Sequence, residues 1–234
     1  MTRAVRAVRD QVVPLAAMLA LAYLPMLLLL FAAGWLADLK GIPMEDVTRD
    51  PATAAQAPFY TGALAILGLF GWCASAAVCF FAAAVLRHAR TDRAGTAFLL
   101  SGALLSTLLL VDDAFLVHEI VGPYHLGLSD EVLIGLYGLA TLAFLVGCRA
   151  TILRSDYLLL VLALAFLAGS AGVDKLNDFG VLATTGGKYA TEGYLFEDTL
   201  KLLGLAGWFG YFAWTAYALV TARVIPPATR AGNP

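Results

Sequence analysis

Seven carboxylates and one histidine lie within or beside apolar stretches of this 234-residue sequence, where ionisable groups are costly to bury. They fall into three short segments, at 112–119, 174–178 and 197–198. Carboxylate and imidazole groups in such places can bind a divalent cation, transfer protons or form ion pairs. The eight residues are Asp112, Asp113, His118, Glu119, Asp174, Asp178, Glu197 and Asp198.

Helical spacing predicts which of these side chains share a face. Asp112 and Glu119 are seven residues apart and project from nearly the same side of a continuous helix. Asp174 and Asp178 also share a face, and Glu197 is placed for an ion pair with Lys201. We therefore expect the three segments to pack as neighbours, with their carboxylates at one level.

The seven acids have only Lys175 and Lys201 as lysine partners within these segments. The deficit can be closed by protonated carboxyl groups, by a charged histidine, by solvent or by a bound cation. A donor set of carboxylates with imidazole suits Mg²⁺, Ca²⁺, Mn²⁺ or iron, and can accommodate zinc. The sequence thus predicts a possible divalent metal at Asp112, Asp113, His118, Glu119, Asp174 and Asp178.

Ordinary helix-end charge is the competing interpretation. Glu197 and Asp198 begin the predicted sixth helix, where acids favour the helix dipole and can act as caps. Asp112, Asp113 and Asp174 lie toward helix C-termini, where an acid opposes the dipole. These three residues, together with Glu119, are therefore the predicted catalytic groups.

The elements that must position these residues are membrane helices. Only 14% of the residues are charged and 61% are hydrophobic, whereas a soluble domain has about 25% charged residues. Six apolar segments are each long enough to cross about 30 Å of hydrocarbon. The chain is predicted to be an all-α integral membrane protein, a single domain over 1–234, with spans at about 13–37, 59–86, 96–120, 131–150, 156–178 and 197–222.

Basic residues are distributed unevenly among the connections between these spans. The terminal segments and the loops on their side hold ten bases and three acids, whereas the other side holds five bases and fourteen acids. Basic residues are enriched on the cytoplasmic side of membrane proteins. We therefore predict that both termini lie inside, in the inner membrane of a bacterium, with the acidic face outward.

Several other classes of function lack a signature in the sequence. Cys73, Cys79 and Cys148 form no paired motif and lie in apolar runs, which argues against a disulfide framework or a thiolate metal site. The first apolar segment is too long for a signal peptide and is predicted to be retained. Nucleotide and nucleophile-elbow motifs do not occur, and the basic face suits anionic lipid better than nucleic acid.

Three functions remain compatible with these patterns. The first is a metal-dependent membrane-embedded enzyme acting on a lipid or other lipophilic substrate. The second is a transporter of cations or protons, although transporter sites tend to lie near the membrane midplane. The third is a non-catalytic subunit of a larger membrane complex, with the carboxylates holding a structural cation.

Overall fold

The computed structural model of the protein describes residues 8–58, 60–178 and 188–224, with side chains at 16, 20, 23–44, 46–58, 60–176 and 195–222. These residues are helical with short connections, and no strand occurs among them. Six helices are long and apolar enough to cross a membrane. The predicted helical class is therefore confirmed, and the six predicted spans correspond to six helices of sufficient length and apolarity.

The chain divides into two compact units, Met1–Thr61 and Gly62–Pro234. The smaller unit contains α1 (Val8–Lys40) and two short helices, α2 (Met44–Thr48) and α3 (Pro51–Ala54). Its apolar residues 27–31 are all more than half exposed. A helix that exposes large apolar side chains in this way suits a lipid environment.

The larger unit contains the remaining helices. They are α4 (Ala63–Ala89), α5 (Arg93–Phe115), a π-helix (Val117–Leu126), α6 (Asp130–Gly147), α7 (Arg149–Ile152), α8 (Tyr157–Asp178) and α9 (Lys188–Val224). The most extensive helix packing joins α8 with α9, α4 with α5, and α4 with α9. Helix α9 is therefore the central element of this unit.

Aromatic side chains fill the centre of the larger unit. Phe98 of α5 stacks on Phe212 of α9 with ring centroids 5.7 Å apart, and Trp72 of α4 meets Trp208 of α9 edge-on at 5.7 Å. A Cβ atom at Gly102 would clash with the Phe212 ring, so this position has no room for a side chain. Trp208 and Phe212 of α9 thus serve in packing.

Helix boundaries differ from the predicted spans at two places that matter for the charged residues. Helix α5 ends at Phe115, although the predicted third span continued to residue 120. Helix α9 begins at Lys188, nine residues before the predicted sixth span. The prediction that Glu197 and Asp198 begin a helix is therefore wrong, because both lie in its third turn.

Candidate functional site

The turn at the end of α5 creates the geometry of the candidate site. Leu116 has φ of +50°, a left-handed conformation that is costly for a residue with a side chain, and its N–H donates to the Asp112 carbonyl. The π-helix Val117–Leu126 follows directly. This helix type is rare and often occurs at functional sites. The chain therefore turns back over Asp112 instead of continuing straight.

Asp112 is the most buried carboxylate of the site, with only 5% of its surface exposed. Its Oδ1 accepts hydrogen bonds from the His118 backbone N–H at 2.9 Å and from the Tyr137 hydroxyl of α6 at 2.8 Å. Its Oδ2 lies 2.6 Å from Nδ1 of the His118 ring. A buried carboxylate needs such donors to offset the loss of water. Three bonds therefore hold Asp112 in one orientation.

His118 presents its two ring nitrogens to different surroundings. Because an ionised carboxylate can only accept, Nδ1 carries the hydrogen that bonds to Asp112, which leaves Nε2 to take up a proton. Nε2 lies 3.6 Å from Oε1 of Glu119, whose side chain is 57% exposed. The hydrogen bond that His118 donates to Asp112 raises the pKa of His118 above its ordinary value, while burial opposes this effect.

Asp113 joins two further helices to the same end of α5. Its Oδ2 accepts a hydrogen bond from Trp72 Nε1 of α4 at 2.8 Å, and its Oδ1 accepts one from Lys201 Nζ of α9 at 2.9 Å. The Asp113 side chain is 14% exposed, so this ion pair is partly shielded from solvent. The predicted contact between the third and sixth spans is therefore confirmed, through Lys201.

A second charged group joins α6 to α8. Lys175 Nζ forms an ion pair with Asp130, at the first residue of α6, and lies 4.0 Å from Asp174. This contact makes Asp130 a partner of Lys175. Helices α5 and α8 are not among the extensively packed pairs of the described chain. The contacts of Lys175 thus join α8 to the start of α6, whereas those of Asp112 involve the π-helix and Tyr137 of α6.

The end of α5 also changes which predicted residues meet. The prediction that Asp112 and Glu119 share a face assumed a continuous helix. The turn at Leu116 brings His118 to Asp112 instead. Lys201, which the sequence pairs with Glu197, donates to Asp113. The side chain of Asp178 lies outside the described residues.

The described donors do not form a metal cage. No group of three or more His, Cys, Asp or Glu side chains within the described part of the chain is arranged to hold a metal ion. All four carboxylate oxygens of Asp112 and Asp113 accept bonds from protein donors. The donor set therefore fits an acid–base site better than a metal centre, and the predicted metal stays a prediction.

Sequence reasoning missed two residues of the site, Trp72 and Tyr137. Both are aromatic side chains with one polar atom, set within apolar helices. Such residues usually find a hydrogen-bond partner when they are buried. This property could have identified them as candidates, but the sequence gives no sign of which carboxylate each would contact.

Comparisons with known proteins place the chain in a family. A family model described as "Domain of unknown function (DUF8692)" matches residues 14–215, a range that contains every residue of the site described above. Comparisons with curated proteins and with solved structures give no match. Because the matched range covers most of its length, the chain belongs to the DUF8692 family.

Proposed function

We propose that the protein is a membrane-embedded enzyme that uses His118 as a general base on a lipid or other lipophilic substrate. The observation that carries the proposal is the 2.6 Å contact between the buried Asp112 carboxylate and His118 Nδ1. A carboxylate at one ring nitrogen orients the imidazole and stabilises its charged form. The other nitrogen is then available to a substrate.

In the proposed step, His118 Nε2 accepts a proton from a hydroxyl group or from water. The resulting oxygen nucleophile forms a bond to an acyl or phosphoryl centre of the lipophilic substrate, and the bond from that centre to the leaving group breaks. The imidazolium is stabilised by Asp112 through Nδ1–H and by the charge of Glu119 near Nε2. The proton then returns from Nε2 to the leaving group. Tyr137 acts as a positioning residue, because its hydroxyl holds Asp112 in place.

Asp113 and Asp174, also predicted as catalytic, have separate roles in this proposal. Asp113 ties α4, α5 and α9 together through Trp72 and Lys201, which fixes the end of α5 that bears the dyad. Asp174 lies with Lys175 and Asp130 and supports the adjoining helix pair. Neither carboxylate bonds to His118 among the described contacts.

The packing of the larger unit favours an enzyme over a transporter. A proton or cation pathway needs a succession of polar groups or water across the bundle. In the described residues, the core from Asp113 toward the other end of α5 is filled by Trp72, Trp208, Phe98, Phe144 and Phe212. The fully buried Ser106 in that core is bonded to Trp208. A reaction confined to one end fits this arrangement better.

The proposed orientation keeps both termini in the cytoplasm of a bacterium, with His118 at the outer face of the inner membrane. The excess of basic residues on the side of the termini supports it. Single cysteines placed in the loop 38–58 should react with an impermeant maleimide added outside the cell. Labelling only after the cytoplasm is opened would reverse the orientation.

The chemical part of the proposal can be tested before the substrate is known. Diethyl pyrocarbonate modifies neutral imidazole, so the rate of His118 modification should rise with pH through its raised pKa. Asp112→Asn should move this profile to lower pH, while the rates at His88 and His125, both exposed, stay unchanged. A His118 profile that is unaffected by Asp112→Asn would contradict the dyad.

Catalysis is then tested with the purified protein and a bacterial lipid extract, followed by mass spectrometry of the lipids. His118→Gln should reduce conversion by about 10²–10⁴-fold, the usual contribution of a general base. His125→Gln, on the same π-helix, is the matched control and should retain conversion. Loss of conversion with EDTA would favour the metal-dependent alternative. Equal conversion by His118→Gln and native protein would overturn the role of His118.

A further inference from the structure

The opposite end of the larger unit carries a separate charged feature, which does not depend on the proposed enzyme. Helix α4 ends and α5 begins around a cavity of about 600 Å³ lined by Arg87, Arg90 and Arg93. No hydrogen bond or ion pair joins these three guanidinium groups to another side chain in the described part of the chain. We name these residues the arginine cluster.

The cavity has a polar rim and an apolar wall. Leu86, Ala97 and Leu100 line it together with the arginine cluster. Asp92 also lines it, but its Oδ1 accepts the Gly95 N–H as the N-cap of α5. Three positive charges against the one negative charge of Asp92, beside apolar side chains, suit an anion that carries hydrocarbon better than a fully hydrated anion.

An apolar groove adjoins this cavity. It has a volume of about 530 Å³, lies between α5 and α6, and shares Ala97 with the arginine-lined cavity. Ser101, Leu104 and Leu108 continue its α5 side, and Ala143 and Gly147 leave space on α6. From Arg93 to Leu108 the α5 side extends about 22 Å, which exceeds the depth of one hydrocarbon leaflet, about 15 Å.

We propose that this continuous surface binds an anionic phospholipid. The phosphate bonds to the arginine cluster, and an acyl chain lies along the groove between α5 and α6. The charge of the cluster selects the anion, and the groove distinguishes a lipid from free phosphate. Basic residues that serve only to orient the protein in the membrane would not require an adjoining acyl-chain groove.

The proposal is tested on the full-length protein in a neutral detergent. Native mass spectrometry would compare retention of dioleoyl phosphatidylglycerol with that of dioleoyl phosphatidylcholine. We expect the anionic lipid to bind more tightly and each arginine-to-glutamine change in the cluster to weaken it about fivefold. Arg154→Gln, at the same end but lining a different cavity, is the matched charge control and should change little.

A second pair of variants tests the groove. Ala143→Phe fills the groove from α6 and should lower retention of phosphatidylglycerol severalfold, while Ala165→Phe, on an exposed face of α8, should not. Equal binding of both lipids would contradict the proposed site. Equal losses of phosphatidylglycerol binding in the cluster variants and in Arg154→Gln would also contradict it. Effective competition by inorganic phosphate at millimolar concentration, or normal binding by Ala143→Phe, would overturn the assignment to a lipid.

Discussion

The two ends of the larger unit hold their charges by different means. At the end formed by Asp112, Asp113 and Lys201, the charged groups bond across helices: to His118, to Tyr137, to Trp72 and to one another. At the other end, the arginine cluster has no side-chain partner among the described residues. The first arrangement is part of the folded structure, whereas the second leaves its charges available to an external anion.

This difference shows how an apolar bundle can use charge in two ways. A carboxylate that is 5% exposed must be bonded within the protein, because water cannot solvate it fully. The three arginines are exposed and keep contact with water or lipid headgroups. Substitutions at the acidic end should therefore affect folding, and those at the basic end should affect binding.

The largest effect is expected for Asp112→Asn. The change removes the charge that three donors surround, and it leaves the partly buried His118 without its ionic partner. The free energy of unfolding should fall by about 3 kcal/mol. Equilibrium unfolding in detergent measures it. Asp174→Asn, at a carboxylate that is 37% exposed, is the control and should cost less than about 1 kcal/mol. Similar losses in both variants would remove the distinction between buried and exposed acids.

Lys201→Met should have the next largest effect. It retains much of the side-chain volume but leaves the Asp113 charge with Trp72 as its described donor. We expect a loss of about 2 kcal/mol in unfolding free energy. Trp72→Phe keeps an aromatic ring against Trp208 and removes only the donor, at a cost of about 1.5 kcal/mol. If the loss of unfolding free energy in the double variant equals the sum of the two single losses, Lys201 and Trp72 do not act as a network.

The pH dependence of stability should identify the contribution of His118. Since the pKa of His118 is raised in the folded protein, the folded state binds this proton more tightly than the unfolded state does. The resulting stabilisation is fully present below pH about 6.5 and is lost as pH rises through the folded pKa. Melting curves of native protein and His118→Gln should therefore converge on the alkaline side. A difference in melting temperature between the two proteins that grows with pH would mean that the pKa of His118 is lowered, not raised, in the folded protein.

The smallest effect is expected for Arg87→Gln in a detergent without anionic lipid. The Arg87 side chain is exposed and has no described side-chain partner. The melting temperature of the variant should therefore match that of the native protein. Adding phosphatidylglycerol should then stabilise the native protein more than the variant. A large loss of stability without lipid would mean that the arginine cluster is bonded within the protein, as the acidic end is.

Hydropathy was sufficient to predict the six long apolar helices. The fifth span, predicted at 156–178, corresponds to α8 at Tyr157–Asp178 almost residue for residue, because the apolar run and the helix end together. The start of α9 was missed, since residues 188–196 are helical but contain polar groups such as Lys188 and Glu192. Hydropathy measures the apolar part of a helix, not the helix itself.

The end of α5 shows a second limit of sequence patterns. Residues 114–121 remain largely apolar, so hydropathy continues through the point where the backbone turns. The left-handed conformation of Leu116 depends on local bonds to the Asp112 carbonyl and side chain, which composition does not reveal. The sequence therefore identified Asp112 and His118 as candidates but could not show that they form a dyad.

The sequence alone predicts a helical membrane protein with six spanning segments and shows an unusual concentration of acids near three predicted helix ends. These properties follow from the hydrophobicity and charge of consecutive residues. Only the tertiary structure decided which partner each acid has, because Asp113 bonds to Trp72 and Lys201, 41 and 88 residues away along the chain. Such contacts depend on how α4 and α9 pack around the aromatic core, and helix periodicity does not specify that packing.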